Sequence, residues 1–350
     1  MWPNSPIPLK TPAVQIQELS VRMAKTNLKT VMHSVVVPPS QEPVLQTVGC
    51  QHAQTPYHLA YWQWGSPDAG HVLVCVHGLS RQGRDFDVLA QTLLRDAVER
   101  QLPPLRIICP DVPGRGRSDW FTQARWYQTP VYVEAMLQLL EHLEQQAPVT
   151  RLDWLGTSMG GLIGLGLAAM QKTPAWPLAV PLSRLVLNDV GPAIAPAAIS
   201  RIAAYIGQPA HFASEEEAAD VLRQTMSGFG PHTPEQWLAL CRPQLRPHPR
   251  GGWQWHYDPA IGEAFRQDTP GQWEQAQAAL WQIYDSLDIP VLLLRGADSD
   301  LLTRETANAM QQRGPRARCV EFAGIGHAPT LIVPEQARVV SKFLLNTAVS

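Results

Sequence analysis

The chain has 350 residues, 45% hydrophobic and 17% charged, with a formal net charge of −2 at pH 7, a composition that suits a globular protein with ample length for a buried core. The near-neutral balance leaves no electrostatic footprint for nucleic acid, and no basic stripe carries interleaved aromatic residues, so that class of partner is excluded. Five cysteines, Cys50, Cys75, Cys109, Cys241 and Cys319, show neither CxxC nor Cys/His metal spacing, so a reducing compartment, no bound metal and no cofactor are expected.

Residues 1–50 are rich in proline and polar residues without a sustained period, and read as a peripheral arm. No window reaches 18 consecutive apolar residues, and Met1 to Ser34 lacks the apolar centre of a signal peptide, so no membrane span and a cytoplasmic location are expected. His58 to Trp64 alternates as a strand, and Val72 to Val76 is a second, wholly apolar one that runs into His77-Gly78-Leu79-Ser80-Arg81. Asp85 to Val98 has helical spacing through Phe86, Leu89, Leu93, Leu94 and Val98. Leu105 to Cys109 forms the next strand and ends in Pro110-Asp111-Val112-Pro113-Gly114-Arg115-Gly116-Arg117-Ser118.

Val131 to Leu143 is helical by period, Leu152 to Leu155 is a short buried strand, and Gly161 to Met170 is a helix. Gly156-Thr157-Ser158-Met159-Gly160 therefore stands at a strand-to-helix turn. Leu185 to Leu187 opens into Asn188-Asp189-Val190-Gly191-Pro192. The alternation of strand and helix argues for an α/β, mainly parallel, doubly wound sheet, with its functional loops at the carboxyl ends of the strands. From 193 to 288 the chain shows helical patterns and no convincing strand, and Trp237, Trp273 and Trp281 read as core of that segment. Pro290 to Leu294 resumes the sheet and leads into Arg295-Gly296-Ala297-Asp298-Ser299-Asp300-Leu301-Leu302. Ala317 to Phe322 is the last strand, before Gly324-Ile325-Gly326-His327 and a closing helix, Glu335 to Leu345.

Gly156-x-Ser158-x-Gly160, the His77-Gly78 loop, the Asp111-x-x-Gly-x-Gly-x-Ser118 loop and the late His327, in that order, resemble the α/β-hydrolases over roughly residues 55–350. The resemblance implies core segments at 51–192 and 289–350, with an inserted helical cap at 193–288. It implies Ser158 as nucleophile and His327 as base, with an oxyanion hole from the N–H groups of Leu79 and Met159. For the acid, Asp300 is preferred because apolar Leu301 and Leu302 follow it; Asp298 and Asp189 remain alternatives, the latter because some family members take the acid from the preceding strand.

A serine needs a base within hydrogen-bond reach and a third group to hold that base's tautomer. With those three residue types in order, the expected activity is hydrolysis of a small carboxylic ester through an acyl-enzyme. Carbon-carbon, lactone or amide hydrolysis on the same residues is the alternative, and a non-catalytic scaffold of the same fold a remote one. Arg81 and Arg84 either bind a substrate carboxylate or form structural ion pairs, and the ion pairs are preferred. The expected partner is a small ester or acyl compound; oligomeric state is left open.

Overall fold

A computed structural model describes residues 42–267 and 270–346. Most of the arm expected over 1–50 lies outside the described residues, but its end does not, because the first strand already begins at Val44. In chain order the elements are β1 (Val44–His52), β2 (Thr55–Gly65), β3 (His71–Val76), α1 (Asp87–Glu99), β4 (Leu105–Pro110), α2 (Thr129–Gln146), β5 (Arg151–Thr157), α3 (Met159–Met170) and β6 (Leu182–Asn188). They continue as α4 (Pro196–Tyr205), α5 (Glu215–Thr225), α6 (Pro234–Cys241), β7 (Leu245–Pro247), β8 (Trp253–Trp255), α7 (Ala260–Gln267), α8 (Pro270–Asp285), β9 (Val291–Gly296), α9 (Arg304–Gln312), β10 (Arg318–Phe322) and α10 (Pro334–Leu344).

Eight strands form one sheet in the order β1-β2-β4-β3-β5-β6-β9-β10. The β1-β2 and β2-β4 pairs are antiparallel, and the rest are parallel. A parallel sheet needs helices on both faces, and its central strands are therefore apolar on both. The period of two sorts their side chains: Val72, Val74, Val76, Val291 and Leu293 enter one core, while Leu73, Cys75, Leu292 and Leu294 enter the other. The first core is closed by α2 and α3 and the second by α1 and α10.

The segment between β6 and β9 differs from the expected single helical cap. Phe212, Ala218, Leu222, Trp237, Leu240, Cys241 and Leu245 make a small core of their own. A ribbon that periodicity did not reveal, β7 paired antiparallel with β8, lies beside it. By contrast Ala198, Ile202 and Ile206 in and just after α4, Tyr257, Ile261 of α7 and Tyr284 of α8 are buried in the first sheet core, and the Tyr284 hydroxyl donates to the Met310 carbonyl at 2.6 Å. Trp281 packs against the same core. So the later part of α8 is built into the sheet layer, while Trp273 in its first half packs edge-on against Phe265 of α7, with ring centres 6.1 Å apart. All five cysteines are free, and among the described residues no helix is long and apolar enough to cross a membrane.

Candidate active site

Ser158 sits between β5 and α3 with φ +52° and ψ −118°, a backbone conformation that costs a non-glycine residue on the order of 1–3 kcal/mol. Two glycines make the turn possible. A Cβ at Gly156 would lie 2.1 Å from the Gly160 carbonyl, and one at Gly160 would lie 2.1 Å from the Val76 carbonyl. The indole of Trp154 donates to the Gly160 carbonyl at 3.0 Å, and the Ser158 N–H donates to Asn188 at 3.0 Å. The strained turn is thereby held by its own strand and by the next.

His327 follows β10 and meets Ser158, its Nε2 lying 3.0 Å from Oγ. Its Nδ1 is 2.7 Å from Oδ2 of Asp189. A carboxylate only accepts, so Nδ1 carries the proton and Nε2 is left to accept from the serine hydroxyl. Asp189 is fully buried and has φ +55°, which turns its carboxylate from the end of β6 toward β9. There it accepts from the Gly296 N–H at 2.9 Å and the Ser299 hydroxyl at 2.6 Å. Ser299 in turn accepts from the N–H groups of Leu301 and Leu302 at 3.3 and 3.1 Å.

The preferred carboxylate, Asp300, is not the one that meets His327. It is bound by Arg201 of α4 at 2.6 and 2.8 Å, half-exposed, and that guanidinium holds its carboxyl below the usual range against the opposing effect of burial. Asp298 does not meet His327 either; its backbone N–H ties the loop to the Ile325 carbonyl at 2.8 Å. The residue of this loop that enters the site is Ser299. The physical reason is register: β6 lies between β5 and β9, so the end of β6 sits beside the serine turn, while the loop after β9 presents a hydroxyl and backbone donors to it. The sequence signal for Asp189 was its place at a strand end in the Asn188-Asp189 pair, residue types that tolerate positive φ.

The His77-Gly78 loop packs against the serine turn. His77 is fully buried, its Nδ1 donating to the Gly78 carbonyl at 2.7 Å and its Nε2 accepting from the Val112 N–H at 2.9 Å. Burial, aided by the Arg115 and Arg81 charges, pulls its pKa down to about 3, so it is a neutral structural clamp. Arg115, missed as a site residue and fully buried, stands behind both expected oxyanion donors. Its Nε donates to the Leu79 carbonyl at 2.8 Å, Nη1 to Pro113 and to the Tyr132 hydroxyl, and Nη2 reaches the Met159 sulfur at 3.7 Å. The Asp111 carboxylate accepts from the Gly83 and Arg117 N–H groups, and burial raises its pKa to about 6.

Of the two arginines after the loop, Arg84 is committed to Asp87 at 2.7–2.8 Å and to the face of Trp62. Arg81 grips Asp85 with Nε and Nη2, both at 2.7 Å, and lines a cavity of about 500 Å³ between this loop and the cap. The cap also touches the histidine loop, since the Gly326 N–H donates to the Gly228 carbonyl at 2.7 Å. Among the described residues no cluster of three or more His, Cys, Asp or Glu could hold a metal.

The chain is similar to known hydrolases in sequence and in fold. Residues 73–342 match the model of the "Alpha/beta hydrolase family". The chain is 43% identical over 307 residues to a 3-hydroxybutyrate-oligomer hydrolase of Cupriavidus necator, spanning 87% of this chain and 98% of that protein. It is 27% identical over 215 residues to an esterase of Mycobacterium tuberculosis, spanning 61% and 64%. A crystal structure of an alpha/beta hydrolase from Novosphingobium aromaticivorans superposes with a TM-score of 0.70 at 29% identity, covering 87% of this chain and 98% of that one. With its sheet order, its serine turn and this match over most of its length, the chain is a hydrolase that belongs to the alpha/beta hydrolase family.

Proposed function

We propose that this hydrolase cleaves carboxylic esters through an acyl-enzyme, with Ser158 as nucleophile, His327 as general base and acid, and Asp189 as the carboxylate that orients His327. The observation that carries the reading is the unbroken hydrogen-bonded path from Ser158 Oγ through His327 to Asp189, at 3.0 and 2.7 Å. As Ser158 attacks the acyl carbonyl, its proton passes to His327 Nε2, and the buried Asp189 stabilises the imidazolium that results. His327 then returns the proton to the departing alcohol, and water, activated in the same way, frees the acid.

The carbonyl oxygen gains charge in the first step and is received by the N–H groups of Leu79 and Met159. The Met159 N–H begins α3 and points outward with the positive end of the helix dipole behind it. Each such donor contributes about 2.7–4 kcal/mol to the transition state. The name of the Cupriavidus necator relative favours esters of short hydroxy acids as substrates over carbon-carbon, lactone or amide bonds.

Hydrolysis of p-nitrophenyl butyrate and of the 3-hydroxybutyrate dimer, with Ser158→Ala as the blank, tests this. Loss of both activities in the variant, by about 10⁶ in turnover as for comparable nucleophile deletions, supports it. Turnover that persists in Ser158→Ala, or none of either ester by the wild type, overturns it.

A further inference from the structure

The cavity between the loop after β3 and the cap has one buried cation on its wall, Arg81. Its side chain is more than nine-tenths buried. Nε and Nη2 are taken by Asp85, and Nη2 also donates to the Leu240 carbonyl at 3.1 Å. Nη1 has no hydrogen-bond partner. A buried donor left unpaired is costly and rare in native proteins, and calls for an explanation such as a ligand.

The position of this donor is informative. The point where a Cβ at Gly78 would stand is 3.8 Å from Arg81 Cγ and 3.6 Å from Ser158 Cβ, so the arginine stem and the nucleophile flank the same glycine. Phe212, Leu222, Met226 and Trp255 give the cavity an apolar lining, where a charge-assisted hydrogen bond is stronger than in water. Glu217, which also lines it, turns its carboxylate to the Ala213 N–H at 2.6 Å. Asp85 already balances the arginine's charge and the guanidinium carbon lies 5.5 Å from the centre of the Phe229 ring, so what remains is one buried N–H without an acceptor.

We propose that Nη1 of Arg81 binds the free terminal carboxylate of a short hydroxy-acid oligoester, so that the bond cleaved is the ester next to the carboxyl end. This rests on the ester-hydrolase reading of Ser158. In such a chain the hydroxyl end is neutral and only the carboxyl end suits a cation. The leaving group is then the terminal hydroxy acid, whose oxygen takes the proton from His327 while the remaining acyl chain stays on Ser158 until water releases it.

The experiment compares kcat/KM for the 3-hydroxybutyrate dimer as free acid and as its methyl ester, in wild type, Arg81→Gln and Arg81→Lys. The ratio of the two substrates within one preparation is independent of how much of the protein is folded. A wild-type preference for the free acid of tenfold or more, falling to near one in Arg81→Gln and partly kept in Arg81→Lys, supports the proposal. Equal rates on the two dimers by a wild type that cleaves p-nitrophenyl butyrate overturn it and leave the esterase reading standing. A preference that survives in Arg81→Gln overturns it as well, and absence of all ester hydrolysis removes both readings.

Discussion

The serine turn and the cap are built on opposite principles. Around Ser158 everything that shapes the backbone lies within a few residues or on the adjoining strands: Gly156 and Gly160 admit the close approach, Trp154 ties the turn, and β3 and β6 wall it in. The cap's small core is assembled from pieces of α5, α6 and β7, and its ribbon keeps Trp253 and Trp255 half-buried. Rigid local geometry suits the nucleophile role proposed for Ser158. The segment between β6 and β9 divides its burial, with residues 212–245 forming a small core and Ala198, Ile202, Tyr257 and Ile261 joining the sheet core.

The proposed acid, Asp189, gives the largest test of this contrast, because it stands at the end of β6 beside the serine turn. Asp189→Asn is expected to lower turnover by up to about 10⁴ by losing the tautomer-holding partner, while Asp300→Asn, which breaks only a half-exposed ion pair with Arg201 worth about 0.2–1 kcal/mol, leaves turnover within about twofold. Steady-state kinetics on p-nitrophenyl butyrate decides it. The reverse ranking would return the role to the loop after β9.

Trp237→Ala probes the cap. Trp237 is buried in the small core, and truncation of such a side chain costs about 3–5 kcal/mol. If the two cores are separable, amide exchange speeds up over 212–245 while β3, β5 and β9 keep their protection. Uniform loss of protection would show one cooperative unit.

A smaller effect comes from His77. Its folded pKa of about 3 lies below the ordinary 6.5, so the folded protein resists a proton that the unfolded chain accepts. This contribution to stability is essentially complete about one unit above pH 6.5 and falls as pH drops toward 3, by about 2 kcal/mol between pH 7.5 and 5. Asp111, raised to about 6, acts in the opposite sense over pH 6 to 4. The difference between wild type and His77→Asn in urea unfolding at pH 7.5 and 5 isolates the histidine. A gap that does not change with pH would mean that His77 is not buried neutral.

Much of the sheet was legible because a parallel strand buried on both faces must be a continuous apolar run. Val72 to Val76, Leu105 to Cys109 and Pro290 to Leu294 all fall on observed strands, to within two residues at each end. The helix ends were less so. Asp85 and Phe86, read into the first helix by their spacing, belong to a short 3₁₀ turn before it. The β7-β8 ribbon escaped because three-residue strands carry no period, and α8 was assigned to the cap because an amphipathic face does not name its partner.

The same division runs through the site. Ser158 and the glycines beside it were determined by the sequence alone, since a strand-to-helix turn that tight admits no side chain at Gly156 or Gly160 and the exclusion is local. That His327 would reach the serine followed from its place after the last strand. Which carboxylate would face its Nδ1 was a matter of tertiary structure only. Asp189, Asp298 and Asp300 all stand at the carboxyl ends of neighbouring strands, and sheet order, a positive φ at Asp189 and the pull of Arg201 on Asp300 chose among them. Only the tertiary structure, likewise, brings Arg81 and Leu240, 159 positions apart, together through Nη2 while Nη1 has no hydrogen-bond partner.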